Sequence, residues 1–315
     1  MTIDAGDAWE ITDDHLDLAL RVARQHLQPT ALVPATAIDP RAWTKLENHQ
    51  HTRSFKVRGA LTKIASLARA ERDAGVVTAS AGNHGLGVAL AGKVMDVRVQ
   101  VFVPSGVPAV KRDGIAALGA EVVVSEAPGY DAVEREAIAR SEQSGATFVS
   151  AYDDPFVAAG NGGTLGLEIL EAMPTLSAIV APVGGGGLMA GLVAARRRSG
   201  RSDVRLIGVN TAASPGMLRS FEEDRAIEEL PPAETVAEGL EGGVRESTFR
   251  IARDAGVEMH AVDEDAIRDA MQFAERVLGQ RIEGSAAVGI ALARTTEIVS
   301  TAGGPVAIIL TGGNR

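Results

Sequence analysis

Hydrophobic positions along this chain switch repeatedly between a spacing of two and a spacing near 3.6, and that alternation predicts most of an α/β fold. After Thr12-Asp13-Asp14-His15, the residues Leu16, Leu18, Ala19, Leu20, Val22 and Ala23 mark a helix with an acidic start that ends near Leu27. Residues 43–47 read as a short strand that delivers the chain to the loop His51-Thr52-Arg53-Ser54-Phe55-Lys56-Val57-Arg58-Gly59-Ala60, after which a helical run reaches Leu67. Three strand-then-helix units follow: strand 76–80 with helix 86–93, strand 97–103 with helix 110–118, and strand 121–124 with loop 125–129 and helix 130–143. Such consecutive units predict a parallel sheet with right-handed crossovers. A fourth strand over 147–151 leads into Tyr152-Asp153-Asp154-Pro155-Phe156, where Pro155 punctuates the chain and a domain boundary is expected.

The remainder repeats the scheme. Helix 163–173, strand 178–183, Gly184-Gly185-Gly186-Gly187, helix 188–198 and strand 204–209 are followed by a long irregular stretch over 210–244. A loop of that length usually has a functional reason or hides short elements. Helices 264–278 and 285–299 and strand 306–310 close this part, which ends in Thr311-Gly312-Gly313-Asn314-Arg315. With 315 residues the chain exceeds the size of one growing core, so two lobes are predicted.

Charge and composition remove several classes. A net charge of −10 argues against nucleic acid, which demands clustered Lys and Arg; the one basic run, Arg196-Arg197-Arg198, suits a helix C-terminus. No cysteine is present, which excludes disulfides, thiolate metal sites and cysteine nucleophiles. The acidic segment 1–14 is unlike a signal peptide, and no apolar run reaches the roughly 18 residues of a membrane span, so a cytoplasmic protein without membrane contact is expected.

Four stretches carry candidate chemistry. Lys56 falls in the first turn of a predicted helix with Ser54 as a candidate N-cap, and both the helix dipole and burial beside Phe55 disfavour its charged form. A lysine so tuned is a nucleophile toward carbonyl carbon and a base once released. The four glycines 184–187 between a strand and a helix let several N–H groups converge on an anion, phosphate above all. Ser80-Ala81-Gly82-Asn83-His84-Gly85, at a strand's carboxyl end, offers backbone donors to a carboxylate, and Asn83 can bond a phenolic oxygen. Two other patterns are weaker. Gly185-x-Gly187-x-x-Ala190 fits a loose dinucleotide fingerprint, yet Asn210 stands where a ribose-binding acid is required. Residues 87–93 have nucleotide-loop spacing, but Val94 replaces the magnesium-binding hydroxyl and the run reads as core helix. His49 and His51 lack partners at metal-ligand spacing, and no metal site is predicted.

Ser54-Phe55-Lys56-x-Arg58-Gly59-Ala60 resembles the signature around the cofactor lysine of fold-type II pyridoxal-phosphate enzymes, the group holding threonine dehydratases and serine racemases. The glycine, asparagine and closing Thr-Gly-Gly-Asn stretches match in the family's order, from about Ala31 to Asn314. The resemblance implies two lobes, each a mainly parallel twisted sheet flanked by helices: residues 1–70 and 151–315 a large cofactor-binding domain, and 71–150 a small, mobile substrate-loop domain. It implies pyridoxal 5'-phosphate on Lys56, contacted by Phe55, Asn83, Gly184, Gly185, Gly186, Gly187 and Thr311, with Glu283 near the ring; Ser80, Ala81, Gly82, Asn83 and His84 would bind the substrate. The activity implied is loss of water and ammonia from L-threonine or L-serine to give a 2-oxo acid, with Lys56 taking the Cα proton, and relatives are often homodimers. Within the family the alternatives are a serine racemase or a dehydratase of 3-hydroxyaspartate or phenylserine. Outside it stands a non-catalytic amino-acid- or nucleotide-binding protein. Three departures are visible: Arg53 where Gly is usual, Gly284 where Pro is common, and Asn210 where some relatives carry a cation-binding acid.

Overall fold

Two sheets organise the molecule, and in the larger one the strands that are apolar without interruption lie at the centre. The structure is a computed structural model and describes residues 8–126 and 130–314. The first amphipathic run forms α1 (Asp13–His26), closed by a reciprocal cap between Thr12 and His15. A hairpin of β1 (Leu32–Pro34) and β2 (Ala42–Lys45) follows, then two short 3₁₀ turns, α2 (Lys56–Ser66) and α3 (Arg69–Ala74). The predicted βα units appear as β3 (Val76–Ala79), α4 (Asn83–Met95), β4 (Val99–Pro104), α5 (Ala109–Ala116), β5 (Glu121–Ser125), α6 (Tyr130–Ser144) and β6 (Thr147–Phe148). These four strands pair in the order β5-β4-β3-β6, every pair parallel. Part of the loop predicted over 125–129 lies outside the described residues.

The chain then forms α7 (Pro155–Ala158), a π-helical turn (Ala159–Gly163), α8 (Thr164–Ala172), β7 (Ala178–Pro182), α9 (Gly187–Arg198), β8 (Arg205–Thr211) and α10 (Gly216–Glu223). It continues through α11 (Glu246–Asp254), β9 (Glu258–Val262), α12 (Glu264–Arg276), α13 (Gly284–Thr295) and β10 (Val306–Ile309). The larger sheet runs β1-β2-β10-β7-β8-β9, parallel except for the β1-β2 hairpin. Alternate residues of β7 face two cores: Ala178 and Val180 pack with Ile290 and Val288 of α13, Ile179 and Ala181 with Met189 and Leu192 of α9. Burial on both faces is why Ala178–Pro182 shows no polar alternation.

Several expectations need correction. Ser54 is not the N-cap of α2: Phe55 holds that position, and the Ser54 hydroxyl accepts only a long 3.4 Å bond from the Lys56 N–H. The backbone of Ser54 is extended because it bridges to Gly312, and Phe55 N–H donates to Thr311 O at 3.2 Å. The helix predicted over 163–173 is α8 (Thr164–Ala172), and it is preceded without a break by the π-helical turn and by α7, which Asp154 caps. The stretch over 210–244 hides α10 and a 3₁₀ turn (Glu238–Leu240), and α11 with β9 were not anticipated at all. Close approach explains the glycine-rich helix start: a Cβ at Gly191 of α9 would overlap Ala158 O and the Cα of Gly162.

Candidate active site

The segment from Val149 to Tyr152, which leaves β6, gathers three of the four predicted stretches. Its Val149 carbonyl lies 3.0 Å from His84 Nε2, its Ala151 carbonyl accepts from Lys56 Nζ at 2.9 Å, and the Tyr152 ring lies against the bare Cα of Gly185. The fourth stretch meets the others through the bridge from Ser54 to Gly312.

Lys56 opens α2 with its side chain partly exposed and its amine 5.3 Å from the centre of the Phe55 ring. Burial pulls the amine from the ordinary lysine range down to about 8, with the Glu283 carboxylate acting in the opposite direction. The neutral fraction near neutral pH is thereby raised far above that of an ordinary lysine, which is what a nucleophilic or proton-abstracting amine needs.

The glycine run forms a bare turn between β7 and α9, with Gly186 in the left-handed region at φ 92°. A Cβ on Gly186 would stand 2.7 Å from Met217 Cε and 2.8 Å from Thr248 Cβ, one on Gly184 3.0 Å from Gly239 O, and one on Gly187 2.7 Å from Tyr152 O. Thr248 donates to Gly185 O at 2.8 Å, and Asn210 donates to Val183 O at 2.7 Å while accepting from Leu218 N–H. Side-chain bonds therefore occupy loop carbonyls, and the first N–H groups of α9, which have no intrahelical partners, remain as donors for an anion. Asn210 is thus a structural clamp between the glycine turn and α10. Among the described residues no group of three or more His, Asp or Glu could hold a metal ion.

Asn83 is the first residue of α4, which starts without a side-chain cap bond. Its Nδ2 donates to Glu283 Oε1 at 2.7 Å, and its Oδ1 accepts from Asn314 Nδ2 at 2.7 Å. Burial raises Glu283 to about 7, and the bond from Asn83 partly opposes this. Ser80 Oγ accepts from Gly82 N–H at 3.2 Å, tightening the turn, and a Cβ on Gly82 would meet nothing within 4 Å, so the turn borders open space. Thr311 is buried at the end of β10, and Glu283 N–H donates to Gly312 O at 3.1 Å. Lys56, Phe55, Asn83, Glu283 and Thr311 thus share one network with Gly312. Nothing in local pattern marks Tyr152, Met217, Thr248 or Gly239 as walls of the glycine turn, because tertiary contacts bring them there. Asn314, within the closing motif, was the one omitted residue that spacing could have raised.

Residues 23–312 match the family described as pyridoxal-phosphate dependent enzyme. The L-threonine ammonia-lyase of Thermotoga maritima is 37% identical over 311 residues, 96% of this chain and 76% of that one. A serine racemase of Oryza sativa subsp. indica is 30% identical over 310 residues, 94% of this chain and 90% of that one. The structure of the processed form of threonine deaminase isoform 2 from Solanum lycopersicum superposes with a TM-score of 0.89 at 30% identity, covering 100% of this chain and 95% of that one. This chain belongs to the pyridoxal-phosphate dependent enzyme family, and its cofactor is pyridoxal 5'-phosphate. The residues present fit that group: a bare turn of backbone donors suits its phosphate, and an amine of depressed pKa suits its aldehyde.

Proposed function

We propose that this enzyme removes water and ammonia from a β-hydroxy amino acid, L-threonine or L-serine, to give a 2-oxo acid. The reading is supported by the threonine ammonia-lyase and threonine deaminase relatives, and above all by the Lys56 amine bonding the segment that also bonds His84 of α4 and packs on the glycine turn. In this reading Lys56 holds the cofactor and Gly184 to Gly187 hold its phosphate; Phe55, Asn83, Glu283 and Thr311 surround its ring, and the backbone N–H groups of the turn Ser80 to His84 receive the substrate carboxylate. The bound cofactor supplies an electron sink for the Cα carbanion. Lys56 removes the Cα proton, and the buried Thr311 hydroxyl, unlike a carboxylate, leaves the ring nitrogen unprotonated and the sink modest, which favours prompt loss of the β-hydroxyl.

Ala81 decides elimination against racemisation. Racemisation needs an acid or base on each face of Cα, and a methyl group is neither. Residues 71–150 act as the substrate-side lobe of a cytoplasmic homodimer. Arg53 favours a second reading, dehydration of 3-hydroxyaspartate: it is exposed, sits at φ 55° where glycine is usual in the family, and has no carboxylate partner among the described residues. A panel of L- and D-threonine, L- and D-serine, 3-hydroxyaspartate and phenylserine, scored for oxo acid and for the D-isomer, tests both readings. Oxo acid from L-threonine or L-serine is expected. Turnover of 3-hydroxyaspartate alone would favour the second reading, and accumulation of D-serine would move the enzyme to the racemases.

A further inference from the structure

We propose that His84 Nδ1 accepts a hydrogen bond from the β-hydroxyl of the substrate and thereby selects hydroxy amino acids; this deepens the dehydratase reading and rests on it. His84 is the second residue of α4, 3% exposed, with Nε2 held 3.0 Å from the Val149 carbonyl. A carbonyl oxygen only accepts, so the proton resides on Nε2 and Nδ1 presents a bare lone pair. Among the described residues that atom is one of two buried side-chain nitrogens or oxygens without a hydrogen-bond partner, the other being Asn48 Oδ1. A buried acceptor left unpaired is costly, and in a ligand site the natural partner is the ligand.

Placement supports the chemistry. Lys56 Nζ bonds the Ala151 carbonyl, two residues beyond the one that holds His84. Burial, followed by the nearby Lys56 charge, pulls His84 down to about 3, which keeps the ring neutral. A neutral acceptor repels a carboxylate. Of the remaining groups on a β-hydroxy amino acid, the amine is the one exchanged at Lys56, which leaves the hydroxyl as the donor. Held this way, the hydroxyl keeps its own proton and turns its oxygen lone pairs outward, so the proton that Lys56 takes from Cα can pass to that oxygen as the Cβ–O bond breaks, releasing water. A β-substrate whose leaving group carries no hydrogen has no use for Nδ1.

The test compares the holoenzyme with His84→Phe, which removes both ring nitrogens, and His84→Asn, whose Oδ1 restores an acceptor near Nδ1. Oxo acid is measured from L-serine and from β-chloro-L-alanine, and binding of α-methyl-L-serine is measured against 2-methylalanine, neither of which has a Cα proton to lose. In His84→Phe, kcat/KM for L-serine should fall by about tenfold or more, the worth of one hydrogen bond, while β-chloro-L-alanine changes less than about twofold on the same principle. The binding preference for α-methyl-L-serine should vanish in His84→Phe and return in His84→Asn. An equal fall for both substrates, no fall for L-serine, or a preference that survives in His84→Phe would overturn the proposal. If the unmodified enzyme eliminates chloride but never water, the dehydratase reading fails separately, and the binding pair still decides the role of His84.

Discussion

The two walls of the site are built on different principles. The wall carrying Lys56 is fastened from beneath by buried charge: Arg58 donates to Glu47 at 2.8 and 2.9 Å, to Glu168 at 2.7 and 2.9 Å, and to Thr164 at 3.1 Å. Lys45 Nζ joins Glu168 and the Thr30 carbonyl, each at 2.7 Å, so two cations face two carboxylates. Gly59 N–H adds a bond to Asn161 Oδ1 at 2.8 Å. The wall carrying Asn83 has no such foundation. Its turn borders open space at Gly82, and its polar links to the larger part include the bonds of Asn83 to Glu283 and Asn314, the exposed pair of Lys111 with Glu238 at 3.1 Å and the pair of Glu134 with Arg245 at 3.8 Å. Exposed pairs of that kind contribute about 0–1 kcal/mol. The contrast matches the division of labour proposed for the site. A covalent anchor must be fixed once, whereas a surface that meets successive substrates must yield.

The largest test is of the fixed wall. Lys56→Ala should abolish oxo-acid formation, and borohydride reduction of the unmodified holoenzyme should place the cofactor adduct on Lys56 alone; a peptide map with the adduct elsewhere would refute the assignment. Next, Arg58→Met leaves Glu47 buried and unpaired and should cost about 3–5 kcal/mol in unfolding free energy, whereas Asn83→Ala should cost about 1 kcal/mol while raising KM. Equal denaturant midpoints for the two variants would erase the distinction between the walls. The pH dependence is a milder effect. Below pH 8 Lys56 is mostly ammonium and cannot attack an aldehyde, so cofactor capture by the stripped protein should speed up as pH rises to about 8 and level off above it. Stopped-flow absorbance reads that profile, and a rate independent of pH from 6 to 9 would contradict the depressed amine. The smallest effect is expected at the yielding wall: Ala81→Ser should introduce a trace of D-isomer into unreacted L-serine, detectable by chiral chromatography and absent from the unmodified enzyme.

The sequence was most legible where one physical cause dominated. Uninterrupted apolar runs such as Ala178–Pro182 and Val306–Ile309 could only be buried parallel strands. Gly184 to Gly187 and Lys56 stood out because bare backbone and a lysine beside a phenylalanine have few other uses. Legibility failed where tertiary contacts overrode local pattern. Glu258–Val262 is an edge strand with a charged first residue and only Val262 fully buried, so it shows neither alternation nor an apolar run. In α11 the buried face is Ser247, Thr248, Phe249 and Ala252, three of them small or polar, which hides the helical period. Ser54 misled for a related reason. Its composition suits a cap, but its backbone was already committed to Gly312.

The strand order also governs when this site can come into being. β2 has two neighbours, its hairpin partner β1 and β10, and β10 in turn joins it to β7. Residues 42–45, which lead to the lysine loop, therefore gain their place in the large sheet only after residues 306–309 have been made. On the ribosome the βα units of the smaller sheet can pair as they emerge, since all four of its strands fall within residues 76–148. Lys56 thus waits for a strand some 250 residues further along the chain before its loop is closed.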